Sequence, residues 1–186
     1  MLNARLGAGL LTMALATLFG TMTASSAVAA SAAEINRDVN RAIELMYAKD
    51  PNTRKLAERA KAVLIFPRIV KAGFIFGAQY GEGALREKGK TVGYYNSIAA
   101  SYGLQAGVQS FGYALFFMTA AALTYLDNSG GFELGVGPTI TVLDQGASQA
   151  FTTSTLQSDI YAVFFDQKGL MAGIGVQGSK ISRIEK

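Results

Sequence analysis

The stretch Val63-Leu64-Ile65-Phe66-Pro67 is where the chain changes period. Before it, apolar residues recur at helical spacing; from Val63 onward they recur at every second position. The four bulky apolar residues read as a buried strand, and Pro67 is expected to end it, because proline cannot donate to a ladder. Glycine divides the chain at nearly the same place. Residues 31 to 72 contain none, whereas Gly73 to Gly178 hold eighteen of the twenty-one. A helical segment followed by a sheet, an α+β architecture, is the prediction.

Upstream of the divide, Ile35, Val39, Ala42, Ile43 and Met46 form one stripe of a helix, with Glu34, Arg37, Asp38 and Arg41 off it. Asp50-Pro51 reads as a stop and restart, since Asp caps a helix and Pro suits a first turn. A second, short and basic helix is expected over about 52–61. Downstream, Phe74, Phe76 and Ala78 alternate with Ile75, Gly77 and Gln79, and Tyr102, Leu104, Ala106 and Val108 alternate with Gly103, Gln105, Gly107 and Gln109. The same pattern runs from Phe132 to Val142 and from Leu170 to Gln177, and Ile160 to Phe165 reads as a further strand. Each alternating strand has a bulky apolar face and a face of Gly or small polar residues. Glycine repeated on one face implies sharp curvature, close approach of another backbone, or close approach of a ligand chain, and curvature is the ordinary reading. Thr119 to Leu126 reads as a short inserted helix, and residues 147–158 as a loop.

These elements predict two N-terminal helices packed on a curved, mostly antiparallel sheet of seven to nine strands, barrel-like if it partly closes, with one short inserted helix. Residues 1–30 read as a cleaved signal peptide: Arg5, an apolar run from Leu10 to Phe19, and Ala27-Val28-Ala29 as an A-x-A site. Cleavage is expected after Ala29, with Ala30-Ser31-Ala32 as the alternative. Residues 31–186 then form a single domain, periplasmic or secreted.

The chain contains no Cys and no His. That removes disulfides, thiol nucleophiles, histidine bases and the usual zinc or iron ligand sets. Asp159 and Asp166 bracket a strand, where solvated acids ordinarily sit, and neither Gly81-Glu82-Gly83 nor Gly135-Val136-Gly137 opens a nucleotide-binding unit. No enzyme, no cofactor and no metal site is expected. Charge is more informative. Residues 31–90 carry twelve Lys and Arg against seven Asp and Glu, net +5, and residues 91–186 carry four against six, net −2. The densest positive run is Arg54, Lys55, Arg59, Lys61, Arg68 and Lys71. A solvated helix face is the ordinary explanation; an anionic membrane surface is the sharper one, each cation there being worth ~1 kcal/mol. Nucleic acid is not expected, because no aromatic-plus-basic platform accompanies the charge.

Five stretches together resemble the SYLF family, the Ysc84-type lipid-binding and actin-binding domain. They are Ala60-Lys61-Ala62-Val63-Leu64-Ile65-Phe66-Pro67 with Lys71-Ala72-Gly73-Phe74, then Gly81-Glu82-Gly83-Ala84-Leu85, then Ser101-Tyr102-Gly103-Leu104-Gln105-Ala106-Gly107, then Phe132-Glu133-Leu134-Gly135, then Asp166-Gln167-Lys168-Gly169-Leu170-Met171-Ala172-Gly173-Ile174 with Gly178-Ser179. The family usually carries a Trp and a Pro where this chain has Gly93-Tyr94-Tyr95-Asn96. The resemblance implies binding of anionic phospholipid through basic N-terminal helices on a β-rich body, and it points to Arg54, Lys55, Arg59, Lys61, Arg68 and Lys71. For an exported chain, actin and phosphoinositides give way to envelope lipids. The alternative reading is an integral outer-membrane β-barrel or a structural envelope protein, suggested by the Gly-rich strands and by Tyr94, Tyr95, Tyr113, Phe116 and Phe117.

Overall fold

The computed structural model describes residues 29–73, 76–102, 107–128, 132–133, 137–143, 157–169 and 179–186. Residues 1–28 of the expected signal peptide, most of the expected 147–158 loop and the expected strand at 170–177 lie outside them.

Helix α1 (Ala32–Lys49) starts where Ser31 and Glu34 form a capping box, and it buries Ile35, Val39, Ala42 and Met46, the stripe the periodicity picks out. It stops at Asp50, whose carboxylate accepts from the backbone N–H of Asn52 at 3.0 Å and so starts α2 (Asn52–Arg59). Among the described residues eight strands follow, with α3 (Ala120–Asn128) inserted: β1 (Ala62–Gly73), β2 (Phe76–Glu87), β3 (Lys90–Tyr102), β4 (Gly107–Phe117), β5 (Phe132–Glu133), β6 (Ile140–Leu143), β7 (Ile160–Gly169) and β8 (Lys180–Ile184). The sheet order is β5-β8-β3-β2-β1-β4-β7-β6. All pairs are antiparallel except β6 with β7. The fold is α+β with the N-terminal helices on the sheet. The described strands do not close into a barrel, with β5 and β6 at opposite edges.

Three expectations are corrected. Pro67 does not end β1, which runs on to Gly73. The register against β2 shifts between Ile65 and Val70 and that against β4 between Phe66 and Ile69, so the proline occupies a bulge where no ladder bond is asked of it. The alternation from Tyr102 to Val108 is not one strand. Tyr102 ends β3 against β2 and Gly107 opens β4 against β1. Phe132 to Val142 likewise divides into β5 and β6, with Gly137 at φ 96° between them.

Two cores lie on the two faces of this sheet. On the helix face, Ile35, Val39, Met46 and Leu56 pack on Val63, Ile65, Ala114, Phe116 and Phe165. On the opposite face, Leu64, Phe66, Ile69, Tyr95, Tyr113 and Phe164 pack with Ala122 and Leu126 of α3. The Phe66 and Tyr113 rings are 4.8 Å apart, and the buried Tyr113 hydroxyl donates to Ser97 at 2.8 Å. The glycines of β2 belong to this second face. A Cβ on Gly83 would lie 2.2 Å from the Ile65 carbonyl and 2.8 Å from the Phe66 ring, and one on Gly81 would meet Ile69 at 2.5 Å. Close approach of β1 at its bulge requires them.

Beyond the bulge, the alternation is turned inside out. Gln79 and Gln109, on the face that buries Phe66 and Tyr113, are 7% and 5% exposed, while Phe76 and Val108 are 74% and 63% exposed on the helix face. Cross-strand register places Ile98, Tyr80, Val70 and Ser110 in one row, with Lys180 and Lys168 at its two ends. The next row holds Ala100, Ala78, Ala72 and Val108. Beyond the bulge, therefore, β2 turns its bulky apolar side to solvent and buries Gly77 and Gln79, and β4 exposes Val108 and buries Gln109.

Candidate functional site

Arg54, Lys55 and Arg59 project from α2, a helix that buries only Thr53 and Leu56, and Lys61 follows two residues after Arg59 at the mouth of β1. All four are exposed. Lys55 and Arg59 share one face of the helix by their spacing of four. The Arg54 guanidinium stands 5.1 Å from the centre of the Tyr47 ring, within reach of a cation–π contact.

Beside this cluster, α1, α2 and the start of the β1–β2 pair enclose a groove of about 410 Å³. Its apolar surface comes from Ile43, Met46 and Tyr47 of α1, Ala57 of α2, and Val63 and Ile65 of β1; Lys61, Arg86 and Lys88 contribute cations and Glu58 one acid. The sequence reading misses Arg86 and Lys88. They arrive because β2 and β3 are joined by a two-residue turn, Lys88 at φ 47° and Gly89 at φ 79°, and because Arg86 stands opposite Val63 in register. The Lys88-Gly89 pair between two alternating segments is the signal that could have found them. Arg86 is held in place: one nitrogen donates to the Gly89 carbonyl at 3.1 Å and another to the Asn40 side chain at 2.7 Å. Its Nε is buried without a hydrogen-bond partner among the described residues. Burial pulls the guanidinium below its ordinary pKa, and the Tyr94 phenol opposes that shift; burial pushes the Tyr47 phenol up. Arginine's pKa is high enough to leave a fixed cation at the groove under any physiological condition.

Arg68 and Lys71 are not part of this cluster. Seven residues of strand, ~23 Å, separate Lys61 from Arg68. Arg68 lies at the bulge, in a second groove of about 740 Å³ lined by Ile35, Asp38, Val70, Tyr80 and Glu82. Lys71 points to the opposite face, between its register partners Gln79 and Gln109. The six residues therefore occupy two ends of the sheet and both of its faces, which charge counting along the chain could not distinguish.

Asp159 and Asp166 have structural partners. Asp159 accepts from the Thr119 hydroxyl and from the backbone and hydroxyl of Thr139, and these bonds, the Thr139 backbone first, hold its carboxyl below the usual range. Asp166 pairs with Lys168 at 3.0 Å. No helix among the described residues is long and apolar enough to cross a membrane.

None of the curated proteins matches the chain. A family model described as Ysc84, Las17-binding protein actin regulator, matches residues 98–186, from Ile98 in β3 through α3 to the last strand. The basic cluster precedes that range. Residues 98–186 are thus similar to the Ysc84, or SYLF, family, in agreement with the resemblance carried by the sequence motifs.

Proposed function

We propose that the protein is a non-enzymatic binder of anionic phospholipid that works at the cell envelope after export, as a periplasmic or secreted protein. The observation that carries this reading is the groove between α1, α2 and β1. It pairs an apolar wall (Ile43, Met46, Val63 and Ile65) with cations at Lys61, Arg86 and Lys88, and with Arg54, Lys55 and Arg59 beside it. A lipid presents the same two chemistries, an acyl chain next to a phosphate. Each cation near an acidic surface contributes ~1 kcal/mol, so four to six of them suffice for stable attachment at low salt. The match of residues 98–186 to the Ysc84, or SYLF, model supports the lipid half of this reading through the lipid binding that the resemblance implies. The run Leu10 to Phe19 before Ala27-Val28-Ala29 supports the address, and an exported protein does not meet actin.

The test is pelleting with vesicles of phosphatidylcholine, with and without phosphatidylglycerol. Binding only to the acidic vesicles, weakened as salt rises, is expected. Equal binding to both, or to neither at low salt, would sink the electrostatic reading. The address is tested by the N-terminal residue of the protein recovered from a periplasmic extract: Ala30 is expected, and an intact Met1 start would contradict export.

A further inference from the structure

The inverted half of the sheet is not accounted for by the groove. On the helix face beyond α1, Phe76, Val108, Tyr80, Ile98 and Val70 are all exposed, on four adjoining strands, and the alanines between them leave the surface shallow. A sheet normally hides its apolar side, and this one hides glutamines instead. Contiguous apolar surface of this kind marks a contact with something else.

We propose that this face is a second lipid contact, which lies on the headgroup–acyl boundary of an anionic lipid layer. Charge selects the occupant. The apolar rows are bordered by Lys180 on β8, Lys168 on β7 and Arg68 at the bulge. Asp166 neutralises Lys168, while Arg68 and Lys180 have no ion-pair partner among the described residues. Long cationic side chains around an apolar centre are what an acidic interface accepts, with the stems along the acyl region and the charges at the phosphates. Tyr80, apolar in its ring and with its hydroxyl on Glu82 at 2.7 Å, suits the same depth. A second copy of the chain would instead bring like charges together around the rim, which costs stability. Helix α1 crosses the sheet between this face and the basic groove and stands about 10 Å proud of it, so one flat layer cannot press against the sheet on both sides of the helix. The two contacts are therefore separate.

This inference rests on the lipid reading above, and the test separates the two. The chain has no Trp. Val108→Trp places a single reporter in the face, and Thr124→Trp, on the exposed side of α3, places one away from it. With phosphatidylglycerol-containing vesicles, the Val108→Trp emission should shift to the blue and be quenched severalfold more strongly by acyl-brominated phosphatidylcholine than that of Thr124→Trp. Val108→Asp should weaken vesicle binding about tenfold with an unchanged unfolding midpoint. If the chain pellets with acidic vesicles but the two reporters are quenched equally, the second contact is wrong and the groove reading stands. If no variant pellets, both fail. A blue shift without vesicles, together with a doubled mass in sedimentation, would show that a second copy covers the face and would overturn the proposal.

Discussion

Val63 and Ile65 on β1 lie under α1, packed among Val39, Met46 and Phe165, whereas Val70, five residues along the same strand, is 38% exposed on the same side of the sheet. Between them is the bulge at Pro67, and beyond it the sheet changes what it hides. In the covered half, both faces are apolar and closely packed, with glycines cut into β2 so that Phe66 and Ile69 can approach. In the far half the glutamines are inside and the valines, tyrosine and isoleucine outside. The covered half is built for stability, and the far half has surface to spare for a contact. One strand can do both because a bulge lets the chain restart its register.

Substitutions on either side of the bulge should separate these roles. Phe66→Ala removes a fully buried ring and is expected to cost roughly 3–5 kcal/mol in denaturant unfolding, while Phe76→Ala should stay within about 0.5 kcal/mol. Equal losses at the two sites would erase the distinction. At the boundary, the Lys186 ammonium lies 3.1 Å from the Glu82 carboxylate, both side chains about nine-tenths buried, and it also donates to the Ala30 carbonyl at 2.8 Å. Glu82→Gln leaves that ammonium without a counter-charge, and a loss of roughly 1.5–3 kcal/mol should follow, read as a lowered unfolding midpoint. Gly83→Ala forces a Cβ against the Ile65 carbonyl, a backbone atom that cannot step aside. A cost of about 1–3 kcal/mol by thermal or chemical unfolding would support the close approach, and a neutral result would contradict it.

The smallest effect concerns acid. Asp159 has a folded pKa below its ordinary value, chiefly through the Thr139 backbone and hydroxyl, with a further contribution from Thr119. A depressed carboxylate contributes stability that is complete above the unfolded-state pKa and fades as pH falls through the folded one. Asp159→Asn should therefore flatten part of the acid limb of a melting-temperature profile below about pH 4 and leave its shape at neutral pH unchanged.

Much of the fold was legible in local chemistry. The α1 stripe, the Asp50-Pro51 break and the inserted helix follow from spacing and capping, and the change of period at Val63 marks the start of the sheet. What alternation could not reveal is which side of a strand is buried, because that depends on the neighbours it meets: Gln79 is hidden opposite Lys71, and Tyr80 is open opposite Val70. Pro67 misleads for the same reason, since a bulge is a property of three strands together. The α2 cluster could be found by counting charge. Arg86 and Lys88 join it only through the β2–β3 turn, and Arg68 and Lys71 leave it only because β1 is twelve residues long and changes face.

The central claim is that the basic end of the helix face recognises acidic lipid. Its most direct test is pelleting of the wild type and of a variant carrying Arg54→Gln, Lys55→Gln, Arg59→Gln and Lys61→Gln with phosphatidylglycerol-containing vesicles. Removing four cations should lower the partition coefficient on the order of a hundredfold or more, with the unfolding midpoint unchanged. Undiminished binding by the folded variant would contradict the account.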